Sequence, residues 1–158
     1  MANADMQAFA TWNVRGLTFG SAPFRNCSHQ ASNTMSSFTW TTNGSLRTIS
    51  GALPDFQMAP CWVVVTSNGQ WAFTTNAASG TISTYAVANN GILLLTSSIA
   101  AKIASPALDM ALSGENGFLY TLNGNNLTGF KVYPDDGGLW QVTNIPNLPP
   151  AATGLAAT

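Results

Sequence analysis

The chain has 158 residues, of which 46% are apolar and only 7% charged, with a formal net charge of −1. Disordered chains combine low hydropathy with high net charge, so this one has the means to bury a core. Its five Lys and Arg form no cluster, which excludes nucleic acid as a partner. No apolar run approaches the ~20 residues of a membrane helix, and residues 1–20 have neither the basic start nor the apolar core of a signal peptide. The low charge and the N-x-S/T triplets at Asn26, Asn43 and Asn126 tilt the expected location towards a secreted or periplasmic one rather than the cytoplasm.

Residues 1–34 have apolar side chains (Phe9, Trp12, Val14, Leu17, Phe19, Phe24) but no regular spacing, and form an expected irregular N-terminal segment. From residue 35 onward a unit of about 46 residues recurs: Ser36–Asn76, Ile82–Asn123 and Leu127–Thr158. Phe38, Tyr85 and Phe130 correspond, as do Gly44, Gly91 and Gly138, and Pro60, Pro106 and Pro150. A period of ~40–50 residues made of four short strands is that of a β-propeller blade.

Each unit reads the same way. The proline precedes a continuous apolar run (Cys61–Val65, Ala107–Leu112, Ala151–Ala156), the pattern of an innermost strand buried on both faces. A turn with Asn-Gly follows (Ser67-Asn68-Gly69, Ser113–Gly117), then an aromatic-rich strand, Trp71–Thr75 or Phe118–Leu122. A third strand alternates apolar and polar, Ile82–Val87 or Leu127–Val132. A second turn leads to an outer strand holding Leu93–Leu95 or Leu139–Val142. No helical period is sustained. The expected fold is all-β: a partial β-propeller of about three four-stranded antiparallel blades over residues 35–158.

The chain enters with outer strands, Ser36–Thr42 and Leu46–Ser50, and its last apolar run reads as an inner strand. Rings have ~4–8 blades, so three blades need either the rest of a longer chain or a further copy in a homo-oligomer.

The run Ala59–Thr66, with Thr74-Thr75-Asn76, Gly80–Ser83 and Asn90-Gly91, resembles the lactonase-type seven-bladed β-propeller family, which includes 6-phosphogluconolactonase-like and muconate-cycloisomerase-like proteins. Leu112-Ser113, Leu119-Tyr120, Asn123 and Gly154–Ala157 resemble the C-terminal end of such proteins. The resemblance covers residues 35–158, about the last third of a family member. It implies a seven-bladed ring and, for some members, hydrolysis of a sugar lactone.

Lactone hydrolysis needs a general base and a cation or dipole for the oxyanion. Asp109, inside an innermost strand, and His29, the sole histidine, are the catalytic candidates. A buried carboxylate must be paired or protonated, so Asp109 is either a structural Asp bonded to backbone amides of a neighbouring loop or a channel-facing acid. His29 is otherwise a surface or packing residue. Glu115 sits in a solvated turn, and Asp135-Asp136-Gly137-Gly138 has too few spaced oxygens for calcium. Cys27, Cys61 and His29 lack zinc spacing, so no metal and no cofactor is expected. Cys27 and Cys61 either form one disulfide or remain two buried thiols. Trp12, Trp40, Trp62, Trp71 and Trp140 are either a sugar-stacking surface or packing between sheets. The expected function is a binding or structural module. Its alternatives are a lactone hydrolase active only in an assembled or full-length ring, and a carbohydrate-binding propeller. A small sugar-derived ligand suits all three.

Overall fold

The structure, a computed structural model, describes residues 24–29, 32–104, 106–149, 152 and 154–157, with the side chains of 24–29, Trp40 and Leu108 left aside. Among these residues all regular structure is strand. In chain order the strands are β1 (Phe24–His29), β2 (Thr34–Trp40), β3 (Leu46–Pro54), β4 (Pro60–Val65), β5 (Trp71–Asn76) and β6 (Thr81–Val87). They continue with β7 (Leu93–Lys102), β8 (Ala107–Leu112), β9 (Phe118–Asn123), β10 (Asn126–Val132) and β11 (Leu139–Ile145). They form three antiparallel sheets ordered β1-β2-β3, β4-β5-β6-β7 and β8-β9-β10-β11. β1 packs beside β4, and β4 beside β8, so the sheets stack in that sequence as successive blades.

The ladders show which strands are equivalent. Asn76 pairs with Thr81, and Asn123 with Asn126, closing the hairpins of the second and third sheets. In the first sheet that place belongs to His29 and Thr34. β1 is therefore a second-position strand, like β5 and β9, and among the described residues the first sheet shows three strands where a full unit predicts four. β1 also lies inside the segment expected to be irregular, so regular structure begins by Phe24 rather than at residue 35. Each third-to-fourth pairing is bulged at a matching point, near Ser37, Thr84 and Gly129. A bulge adds twist and turns the outer strand away from the ring axis.

The proline correspondence is shifted by one residue. Pro60 pairs with Asn76, but it is Ala107, not Pro106, that pairs with Asn123. The bonds agree: Ala77 N donates to Ala59 O, and Gly124 N to Pro106 O. Asn116 thus takes the place of Gly69, and the positive φ falls on Asn116 (56°) rather than on Gly117. Asparagine tolerates that conformation because its short side chain bonds locally. Here it also reaches the neighbouring sheet, where Asn116 Oδ1 accepts from Ser67 N at 3.0 Å.

Two seams hold the stack. Met35 of the first sheet packs with Val63, Val65, Ala72, Tyr85, Val87 and Leu93 of the second. Phe73 and Ile82 of the second pack with Met110, Leu119, Phe130 and Val132 of the third. Adjacent residues Ala72 and Phe73 enter opposite seams because strand side chains alternate. The second sheet is thus packed on both faces. Each fully buried aromatic contributes roughly 1.5–3 kcal/mol. The outward face of the third sheet leaves Phe118, Trp140 (66% exposed) and Val142 in solvent.

The final apolar run departs from expectation. Among the described residues no strand follows β11. Residue 152 and residues 154–157 form no strand where the sequence predicts an inner one, and Leu155 N donates to Asp109 Oδ2 on β8. A strand exists only where a neighbour takes its backbone hydrogen bonds.

Candidate functional site

One rim of the stack gathers two kinds of connection: the hairpins after β5 and β9, and the loops running from one sheet's outer strand to the next sheet's inner strand. Met58 N donates to Ser79 Oγ at 2.6 Å, Ile103 N to Gly80 O at 2.8 Å, and Gly124 N to Pro106 O at 2.7 Å. An asparagine closes each hairpin from inside. Asn76 Nδ2 donates to Thr81 Oγ1 (3.0 Å) and Ser83 Oγ (2.8 Å). Asn123, with its amide oriented to satisfy both ends, donates to Asn126 O (2.7 Å) and accepts from Ala104 N (3.1 Å). Thr128 Oγ1 stands 3.2 Å from the Asn123 oxygen and 3.0 Å from Asn144 Oδ1, and donates to one at a time.

The two seams differ at this rim. In the first, Gln57 Oε1 accepts from Thr81 Oγ1 at 3.0 Å, placing an amide over the hairpin. In the second, the connecting loop 103–106 is one residue shorter than 55–59 and carries no glutamine. A cavity of about 240 Å³ remains, lined chiefly by Lys102, Asn123, Asn126, Thr128, Gln141 and Asn144. Its walls offer amides, a hydroxyl and one ammonium, and no carboxylate. Such a set can bind hydroxyls and an anionic oxygen, but it contains no general base.

Asp109 lies elsewhere, on β8 near the stack's inner edge, 7% exposed. Its Oδ1 accepts from Met110 N and its Oδ2 from Leu155 N, both at 2.7 Å. Both oxygens are therefore held by backbone amides. Cys61 of β4 is its neighbour: burial, and then the Asp109 charge, push the Cys61 thiol up. His29 sits in β1 at the hairpin-closing position of Asn76 and Asn123, and its side chain is outside the described ones. The same holds for Cys27, so its pairing with Cys61 falls outside the described side chains. The described basic groups do not gather around Asp109. Lys102 lines the rim cavity, Arg47 is exposed on β3, and Lys131 lies over the Tyr133 ring at 5.5 Å. Glu115 is exposed in its turn. Asp136 Oδ1 accepts from Gly138 N within its own turn.

Among the described tryptophan side chains, Trp62 and Trp71 pack into the second seam, and Trp71 Nε1 donates to Pro134 O at 2.8 Å. Trp140 alone of these is exposed. Trp12 and the Trp40 side chain lie outside the described residues.

Sequence reasoning missed Asp55. It opens the 55–59 loop, is 0% exposed, and faces the seam that holds Tyr85. Its Oδ1 accepts from Gln57 N (2.9 Å), while Oδ2 and the Tyr85 hydroxyl meet no hydrogen-bonding group among the described residues. Burial pushes the Asp55 carboxyl up from its ordinary 3.8, against the Gln57 bond. Burial and then the Asp55 charge raise the Tyr85 phenol. A signal existed: Asp55 N, Ile103 N and Leu148 N make matching bonds to the hairpins (Asn33 O, Gly80 O, Asn125 O), so Asp55 stands where the repeat places Ile and Leu.

No family model matches the sequence, and no curated protein sequence matches it. Solved structures do. A protein from Lactobacillus plantarum superposes with a TM-score of 0.70 at 16% identity, over 80% of this chain and 39% of its own. The periplasmic gluconolactonase of Pseudomonas aeruginosa gives 0.68 at 16%, over 80% and 37%. A candidate 6-phosphogluconolactonase from Bacteroides uniformis gives 0.66 at 19%, over 78% and 38%. At such identities the likeness establishes the fold: propeller blades, with lactonase-like proteins among the structural neighbours. This chain spans under two fifths of the length of those neighbours. No helix among the described residues is long and apolar enough to cross a membrane.

Proposed function

We propose that this chain is an arc of a lactonase-type propeller acting as a binding module, and that the rim cavity beside Lys102 takes a small sugar-derived acid. The observation that carries this reading is the cavity's lining: amides, a hydroxyl and one ammonium, with no carboxylate to act as base. Polyhydroxylated acids present hydroxyls to the amides and a carboxylate to Lys102. Asp109, with both oxygens on backbone amides, serves structure rather than proton transfer in this arc. A periplasmic relative in fold and a weakly charged surface support an exported location.

The test is titration calorimetry with gluconate, alongside hydrolysis of glucono-δ-lactone by the same preparation. Gluconate binding that weakens about tenfold or more in Lys102→Met, with no turnover above buffer, is the expected result. Binding unaffected by Lys102→Met removes the site. Turnover lost in Asp109→Asn establishes instead the second reading, a hydrolase, which draws support from the place of Asp109 on an inner strand beside Cys61.

A further inference from the structure

Five Asn-Gly dipeptides occur in the chain, beginning at Asn43, Asn68, Asn90, Asn116 and Asn123, and each lies in a turn or at a hairpin end. Asn-Gly is open to cyclic imide formation because glycine has no side chain to shield its amide nitrogen from the asparagine carboxamide. The fold treats the five differently. Gly44 N donates to Thr41 O (2.9 Å), Gly69 N to Thr66 O (2.9 Å), Gly91 N to Ala88 O (2.7 Å) and Gly124 N to Pro106 O (2.7 Å). At the remaining dipeptide the one-residue offset of the third sheet moves the turn's bond onto the asparagine itself, and Asn116 N donates to Ser113 O at 2.8 Å. Among the described residues Gly117 N meets no acceptor.

The Asn116 carboxamide is also set up for the reaction. Its Oδ1 accepts from Ser67 N at 3.0 Å, and its Nδ2 donates to Ser67 Oγ. A backbone N–H at the carbonyl oxygen stabilises the oxyanion that forms when a nucleophile adds to Cγ. A hydroxyl at the nitrogen can hand a proton to departing ammonia. Asn43, Asn68 and Asn90 likewise accept backbone N–H bonds on Oδ1, from Ser45, Gln70 and Ile92. Asn116 differs by its unengaged nucleophile and by the hydroxyl at its nitrogen. We propose that Asn116 is a site of spontaneous, fold-selected deamidation. Gly117 N loses its proton to water and bonds to Asn116 Cγ. The Cγ–Nδ2 bond breaks, and Nδ2 leaves as ammonia with a proton from Ser67 Oγ, which water restores. Water then opens the cyclic imide on either side, leaving aspartate or its β-linked isomer at this position. The product adds a carboxylate beside Glu115, and Ser67 loses the amide donor that ties the second and third sheets together here. The hairpin after β8 lies at the opposite rim from the hairpin after β9, so the modification is independent of what the cavity beside Lys102 binds.

The test is peptide mass mapping of the full chain after incubation in mildly alkaline buffer, folded and in guanidinium chloride. In the folded chain Asn116 should convert about threefold to tenfold faster than Asn43, Asn68, Asn90 or Asn123, the factor by which one hydrogen bond holds back each of the other glycine nitrogens. In guanidinium chloride the five rates should converge, because the turn bonds that separate them are gone. Gly117→Ala is the chemical control. A Cβ at Gly117 would meet nothing within 4 Å, so the fold is kept. Its methyl shields the nucleophile, and conversion at Asn116 should fall to the level of the other four or below. Folded-state conversion at Asn116 no faster than at Asn43, Asn68 and Asn90 overturns the proposal. So does a lead for Asn116 that persists in guanidinium chloride, which would assign the order to neighbouring sequence, or an unchanged rate in Gly117→Ala, which would assign the loss of ammonia to direct attack by water.

Discussion

Gly137→Ala measures how tightly the second seam is closed. Gly137 lies in the turn between β10 and β11 with φ at +68°. A Cβ built there would fall 2.5 Å from Trp71 Cε3, 2.7 Å from Trp71 Cδ2 and 2.8 Å from Thr84 Cγ2. Trp71 cannot swing aside freely, because its Nε1–H is bonded to Pro134 O in the same turn. Two costs therefore add: about 1 kcal/mol for placing alanine at positive φ, and about 1–3 kcal/mol for forcing a methyl into a filled seam. Gly44 is the internal control, with φ at +83° and nothing within 4 Å of the same virtual atom. Gly44→Ala should carry the first cost alone. At roughly 2–4 °C per kcal/mol for a chain of this size, Gly137→Ala should lower Tm by roughly 4–16 °C and Gly44→Ala by roughly 2–4 °C. Differential scanning calorimetry of both variants at one concentration reads the difference. Equal shifts would refute the reasoning, because the seam would then have room for a methyl group beneath the indole.

Asp55→Asn should stabilise the protein at neutral pH. The folded-state pKa is raised above 3.8 by burial, so the folded chain holds its proton more tightly than the unfolded one. Stability is then lost as pH rises from about 3.8 through the folded value. Asparagine keeps the acceptor for Gln57 N but cannot ionise, so its advantage should grow from pH 4 towards pH 7 in urea unfolding; a pH-independent difference contradicts this. Asn123→Ala should cost about 1–3 kcal/mol, because it strips partners from the buried Asn126 carbonyl and Ala104 amide. Asn144→Ala, at an exposed position on the same cavity, should change stability by less than about 0.5 kcal/mol. Chemical denaturation of the pair reads this, and equal losses would mean that Asn123 does not close its hairpin.

Whatever depends on neighbours in the chain was legible from the residues alone. Trp71–Asn76 announces itself by its aromatics and Thr81–Val87 by apolar alternation, each beside turns rich in Gly and Asn, and they become β5 and β6. The 46-residue recurrence, the all-β character of the described residues and the propeller class follow from the same local periods. Only the tertiary structure decided the rest. β1, with the sequence FRNCSH, has no alternation to betray it and is a strand because β2 pairs with it. Ala151–Ala156 has the composition of an inner strand, yet its described residues form none, because among the described residues no sheet takes their hydrogen bonds. The one-residue offset at Pro106 was invisible until Ala107 met Asn123 across the hairpin. The rim cavity exists because a shortened loop leaves Asn123, Asn144 and Lys102 uncovered, and Asp55 is buried because its loop faces the seam between the first and second sheets. Strand pattern is written in adjacent residues. Register, edges and cavities are set by partners tens of residues away, and local periodicity carries no record of which partners meet.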